Sequence, residues 1–212
     1  MLSLSLIALS LLFPLAAAAQ DTHASHEVHA IPAEILDRPV PLRRGIGTVH
    51  EKVSTTSIQA QAFYDQGLAY LHAFVWIEAA RSFHQALRLD PQLAMADLGL
   101  SYAEWELNRP GEARTAFERG RELAKGSTGG ERQRMMLRGL ELDAIANPRD
   151  PARLTAYRRA LDEGLARDPL DVELWLLRGM AEAPTPGDRG QGSPSGSMQY
   201  YQKALAIQPD SM

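Results

Sequence analysis

Between Ala60 and Pro91 the chain reads AQAFYDQGLAYLHAFVWIEAARSFHQALRLDP, and one pair of spacings occurs in it twice. Phe63, Gly67 and Tyr70 follow at intervals of four and three, and Ala79, Phe83 and Ala86 repeat those intervals. Steps of three and four keep side chains on one face of an α-helix. The stretch therefore predicts two short helices, about 58–73 and 76–89, with Ser57 as the N-cap of the first. Pro91 ends the second, because proline lacks an N–H and disfavours helix in the residue before it.

The rest of the chain repeats this theme less regularly. In AMADLGLSYAEWELNRPGEARTAFERGRELAK, Leu98, Gly99 and Tyr102 resemble the first helix of the pair, and Ala113 and Phe117 the second. Gly99 and Ala113 are 14 apart, whereas Gly67 and Ala79 are 12 apart. That difference predicts a two-residue insertion around Asn108-Arg109-Pro110-Gly111, which has turn chemistry. Lys125 stands where the closing proline is due. GSTGG at 126–130 reads as a flexible break, followed by helices over about 131–146 and 151–167. Asn147-Pro148 and Asp168-Pro169 end them, and Pro151 suits a first turn. A last unit opens near Leu170, with Trp175 and Gly179 spaced like Phe63 and Gly67. Its Tyr201, Ala204 and Pro209 are spaced like Phe83, Ala86 and Pro91. The Pro/Gly/Ser-rich stretch from Pro184 to Gly196 reads as a loop between its two helices.

Over 60–91 this pattern resembles the 34-residue tetratricopeptide repeat; the match is fair over 94–124 and 172–209, and weak between. Seven of its eight usual signature positions hold the expected class here: Phe63, Gly67, Tyr70, Ala79, Phe83, Ala86 and Pro91; Gln66 stands in place of the usual leucine. The resemblance implies an all-α, right-handed superhelix of antiparallel helix pairs. Gly67 and Ala79 are then small where backbones approach, and Phe63, Tyr70 and Phe83 fill the space between helices. The run from GIGTVHEKVST through AQAFYDQGLAYLHAF to EAARSFHQALRLDP is similar to a group of exported bacterial tetratricopeptide proteins of poorly defined function. Longer members of that group continue with a histidine-containing helix after a repeat ending like QPDS. The chain's last residues, Asp210-Ser211-Met212, fall where a further repeat or a capping helix is due, so the sequence reads as the N-terminal part of a longer protein.

Ahead of the repeats, residues 1–20 (MLSLSLIALSLLFPLAAAAQ) combine an apolar run with the small residues Ala16–Ala19, as a secretory leader does. The run has no Lys or Arg before it, and Pro14 breaks it short of a membrane span. Export to the periplasm or cell exterior is the expectation. Residues 21–57 are expected to be a linker and lead-in. Asp21 to Leu42, with Pro32, Pro39 and Pro41, reads as loop or disorder, and 45–55 as too glycine-rich for helix. The 212 residues carry a net charge of −4 and no cysteine. The pI is about 5.9. That removes disulfides, thiolate chemistry and cysteine metal sites, and offers nothing to attract nucleic acid or an anionic membrane.

Residues with chemical potential fall into a few groups. His23, His26 and His29 are weak candidates for loose metal binding, because HEVH lacks the two-residue spacer of a zinc-protease helix. His50, His72 and His84 lie too far apart along antiparallel helices for one shared site. Beside the inward stripe, Gln61, Tyr64, Leu68, Leu71 and His72 form the neighbouring face of the first helix. Counted from Gly99, its equivalents in the second unit are Leu93, Ala96, Leu100, Ala103 and Glu104. The leucines read either as groove lining or as core between repeats. Residues 60–73 have no lysine or asparagine, which disfavours the grip on a terminal carboxylate seen in some tetratricopeptide domains. Lys125–Gly130 and Gly192–Gly196 match neither a phosphate loop nor a nucleophile elbow. The Arg-rich stretches Arg132/Arg134/Arg138 and Arg153/Arg158/Arg159 alternate with Glu131, Glu141, Asp162 and Glu163 as a solvated helix face does.

The functional expectation is a non-catalytic protein-interaction scaffold without a cofactor. It would hold a peptide or protein segment through Gln61, Tyr64, Leu68, His72 and Glu104. The alternative is the N-terminal part of a metal-dependent exported protein completed beyond residue 212, with His50 or His72 contributing. An accessory factor in outer-membrane assembly or secretion is a third reading, which the sequence does not separate from the first.

Overall fold

A computed structural model describes residues 31–47, 49–182 and 194–209. The leader, the His23/His26/His29 cluster and most of the 184–196 loop lie outside the described residues. All regular structure among the described residues is helical: α1 (Ala33–Leu36), α2 (Ile58–His72), α3 (Trp76–Leu89), α4 (Ala94–Glu106), α5 (Pro110–Leu123), α6 (Gly129–Ala146), α7 (Pro151–Arg167), α8 (Val172–Met180) and α9 (Pro194–Ile207). A 3-10 turn, Ala124–Gly126, follows α5. Helices pack mainly on their neighbours in the chain: α2 with α3, α4 with α5, α6 with α7, α8 with α9, and α3 on α4.

The ends of these helices follow from local chemistry. Ser57 accepts the Ala60 N–H at 3.1 Å and starts α2. Thr128, Asp150 and Asp171 cap α6, α7 and α8 through their side chains, each satisfying a donor the helix cannot. Pro110 and Pro151 occupy first-turn positions, where the missing N–H costs nothing.

One ring organises the first two pairs. Phe83 of α3 is fully buried. A Cβ added to Gly67 of α2 would fall 2.6 Å from its Cε1, and one added to Gly99 of α4 would fall 2.5 Å from the same atom. Two glycines thus flank the ring, one in its own pair and one in the next. The last pair repeats half of this: a Cβ on Gly179 would fall 2.8 Å from Tyr201 Cδ1. Ala79 and Ala86 are fully buried, as expected, while Phe63 and Tyr70 are only partly buried. Tyr64 takes the deeper place, 5.9 Å from Phe83.

The second pair corrects the register read from Gly99. Phe74 and Asn108, the two non-glycine residues with positive φ among the described residues, sit in the turns of the first and second pairs and are 34 residues apart. Helices α3 and α5 also start and end 34 residues apart. There is no insertion. The counterpart of Gly67 is Ser101, and Gly99 lies two residues earlier because it receives Phe83 from the preceding pair. Where the first pair has Phe63 and Tyr70, the second has Asp97 and Glu104, both buried. Each is matched by an arginine: Asp97 accepts from Arg119 Nε at 2.8 Å, and Glu104 pairs with Arg109 at 2.7 Å.

Residues 31–47 are also more ordered than their prolines suggest. Leu36 and Val40 are buried. Arg81 donates to the carbonyls of Arg38 and Pro39, Arg88 to that of Asp37, and Arg109 to that of Ile31. Gln66 explains its own departure from the repeat pattern here. It is buried, accepts the Arg43 N–H at 2.7 Å, and donates to the Pro41 carbonyl and the Ser82 hydroxyl. A leucine could not fasten this strap.

Candidate functional site

Helix α2 presents one side to a non-helical stretch of its own chain, residues 50–54. The Gln61 amide bonds that backbone in both directions: its oxygen accepts the Val53 N–H at 3.1 Å, and its nitrogen donates to the Glu51 carbonyl at 2.8 Å. One turn on, Asp65 takes the Glu51 N–H at 3.4 Å and His50 Nδ1 at 2.8 Å. The Gln61 amide also donates to Asp65, which holds both side chains in place. Tyr64 donates its hydroxyl to the Glu51 carboxylate at 2.5 Å. At the far end, the Ser54 N–H goes to Glu131 of α6 at 2.7 Å.

Behind this segment lies a charged cluster drawn from four parts of the chain. Arg134 of α6 reaches Glu51 at 3.3 Å and Asp171, the cap of α8, at 2.8 Å. His72, at the end of α2, meets Glu173 of α8 at 2.9 Å. Burial pushes the Glu51 carboxyl above its usual range, although Arg134 and Tyr64 pull the other way. Burial and the Glu51 charge push the Tyr64 hydroxyl well above 10.0. For His72, burial lowers the pKa, but the charge and hydrogen bond of Glu173 outweigh it and the net shift is upward. Burial likewise opposes the Arg134 charge, which Glu51, Asp171 and Glu173 together hold in place. His72 Nδ1 and Arg134 Nη1 are buried and make no hydrogen bond among the described residues.

The residues expected to line a groove divide accordingly. Gln61, Tyr64 and His72 share this region, and the first two contact the lead-in directly. Leu68 and Leu71 are buried in the core. Glu104 is not beside His72. It sits between Arg109 and His84, with His84 Nε2 at 3.9 Å. The two-residue register shift is the reason: a residue two positions from the expected one points about 200° away around a helix. Corrected by 34 residues, the counterpart of His72 is Glu106. Glu51, Asp65, Asp171 and Glu173 were not singled out from sequence, and Arg134 and Arg138, expected on a solvated helix face, are instead part-buried and fully buried against partners on other elements. They come from separate elements, up to 101 residues from their partners, so no local spacing signals them.

Among the described residues, no group of three or more His, Asp or Glu side chains is placed to hold a metal ion. No helix among them is long and apolar enough to cross a membrane. In comparison with known proteins, no family model matches the chain and no curated protein matches it.

Proposed function

We propose that this chain is a non-catalytic interaction scaffold, a tetratricopeptide-like right-handed superhelix that is exported by its leader and binds an extended segment of a partner protein. The observation that carries the reading is the Gln61 amide, bonded on both sides to the backbone of residues 50–54. One side chain satisfying an N–H and a C=O of a non-helical segment recognises main chain whatever its side chains, and Tyr64 adds selection for an acidic residue. In cis the occupant is the lead-in; a partner segment of similar chemistry would take its place when the lead-in lifts. The 34-residue pairing of helices supports the same reading, since stacked helical hairpins build extended binding surfaces.

The test is binding of a labelled peptide, VHEKVSTT, to the full-length Val53→Pro protein. The proline removes the N–H that Gln61 holds and loosens the lead-in. Saturable binding to this variant, absent in Val53→Pro/Gln61→Ala, supports the scaffold. Equal binding with and without Gln61 sinks it.

The metal-dependent alternative has one observation in its favour. His72 spends Nε2 on Glu173 and leaves Nδ1 without a hydrogen bond among the described residues, as a histidine oriented by a carboxylate for a metal does. Zinc or copper bound stoichiometrically by the protein extended past Met212, and lost in His72→Ala, would favour it over the scaffold.

A further inference from the structure

Helix α6 packs far less extensively on α5 than α4 does on α3. The gap between α5 and α6 is an open groove of about 890 Å3. Its floor is apolar: Phe117 from α5, and Met135, Met136, Leu140 and Leu142 from α6. Met136 is 48% exposed. Methionine on such a floor adapts to varied apolar partners.

The rim carries the second observation. Arg114, Arg121 and Arg132 line the groove, and all three are exposed. None forms a salt bridge with a carboxylate among the described residues, although the Glu122 carboxyl is held low by the hydrogen bond and charge of Lys125 and, in smaller part, by the Arg121 charge. Arg121 stacks over the Phe117 ring at 5.6 Å, and Arg132 donates to the Ser127 carbonyl. The two acids at the rim are already engaged, Glu122 by Lys125 and Asp143 by Arg153. On a chain of net charge −4, three unmatched guanidinium groups therefore flank one apolar floor.

From this complementarity we infer that the α5/α6 groove docks an acidic amphipathic helix of a partner protein, apolar face on the methionines and carboxylates on the arginines. On α6 the groove runs from Arg132 to Ala146, about 21 Å at 1.5 Å per residue, which matches a helix of roughly 14 residues. A groove left open along two helices suits a helical face; a small ligand would be enclosed on most sides. This groove uses the 132/135/136/139/143 side of α6, whereas Arg134 and Glu131 serve the lead-in. The inference extends the scaffold reading to a second face, and either face can fail while the other holds.

The test uses the full chain and three labelled 14-residue peptides. One has a leucine face flanked by glutamates, one has lysines in place of the glutamates, and one is a scramble of the acidic peptide without an apolar stripe. The acidic amphipathic peptide should bind at least tenfold more tightly than either control, and more weakly as salt rises. Arg114→Glu/Arg121→Glu should lose at least tenfold of that affinity. Arg121→Gln, a milder change, should lose part of it at an unchanged unfolding midpoint. Equal binding of the three peptides, or no effect of either variant, overturns the inference. Binding of dodecanoate in the groove with none of the acidic peptide overturns it too, and assigns the groove to a small amphiphile.

Discussion

The glycine-flanked ring of Phe83 makes a sharp prediction, because one substitution should act with opposite sign at two helical glycines. At Gly99 an added methyl would fall 2.5 Å from Phe83 Cε1 and 2.7 Å from Cε2. Carbon pairs rest at about 3.5–4.0 Å, so the ring must withdraw by about 1 Å. It cannot withdraw freely, since its other side lies against Gly67, where a Cβ would fall 2.6 Å away. Overpacking of this kind costs about 1–3 kcal/mol. Replacing helical glycine by alanine returns about 0.8–1.0 kcal/mol. Gly99→Ala should therefore destabilise by up to about 2 kcal/mol, a fall in Tm of up to about 8 °C for a chain this size. At Gly111, in the first turn of α5, an added Cβ meets nothing within 4 Å. Gly111→Ala should stabilise by about 0.5–1 kcal/mol through the unfolded chain's lost freedom. Thermal unfolding followed by circular dichroism at 222 nm measures both. If Gly99→Ala unfolds at or above the wild-type temperature, the ring is not clamped as described and the contact between the first two pairs has been misjudged.

Two further outcomes follow from buried charge. Arg138 is fully buried, lies 4.0 Å over the Tyr102 ring, donates to the Ser101 carbonyl and hydroxyl, and pairs with Glu141 at 2.7 Å. Arg138→Ala should cost about 3–5 kcal/mol, as breaking a buried pair does, and Arg138→Met should cost less because it keeps the packing; urea denaturation distinguishes them. Stability should also depend on pH through His72, whose folded pKa is raised above 6.5. A raised folded value means that the contribution is complete below 6.5 and is lost as pH climbs through the folded value. The Glu51 carboxyl, raised above 4.5, acts in the same direction from a lower pH. The denaturation midpoint should thus decline above pH 6.5, and Glu173→Gln should flatten that decline; an unchanged slope in that variant would refute the assignment to His72.

Much of the architecture was legible residue by residue. The ends of α2 and α3, the Ser57 cap and the α7 boundaries follow from patterning and capping, which act within a few residues. The pairing of Gly179 with Tyr201 was also visible in the spacing. The second pair was misread for a physical reason. Its signature aromatics are replaced by Asp97 and Glu104, the first made tolerable by Arg119 of α5 and the second by Arg109 in the turn before α5, while Leu98, Gly99 and Tyr102 imitate the pattern two residues early. Carboxylates become acceptable in a helix interface only when a partner arrives from elsewhere, and no local rule reports that arrival.

The sequence by itself thus determined that the chain makes a succession of short helices, since turn, cap and period are local properties. Tertiary structure alone decided what their faces do. It laid residues 50–54 along α2, joined His72 to Glu173 across 101 residues, buried Gln66 under the strap, and left three arginines unmatched around an apolar groove. Each of these depends on where a distant segment comes to rest, and the free energy of that placement is spread over contacts that no single stretch of sequence contains.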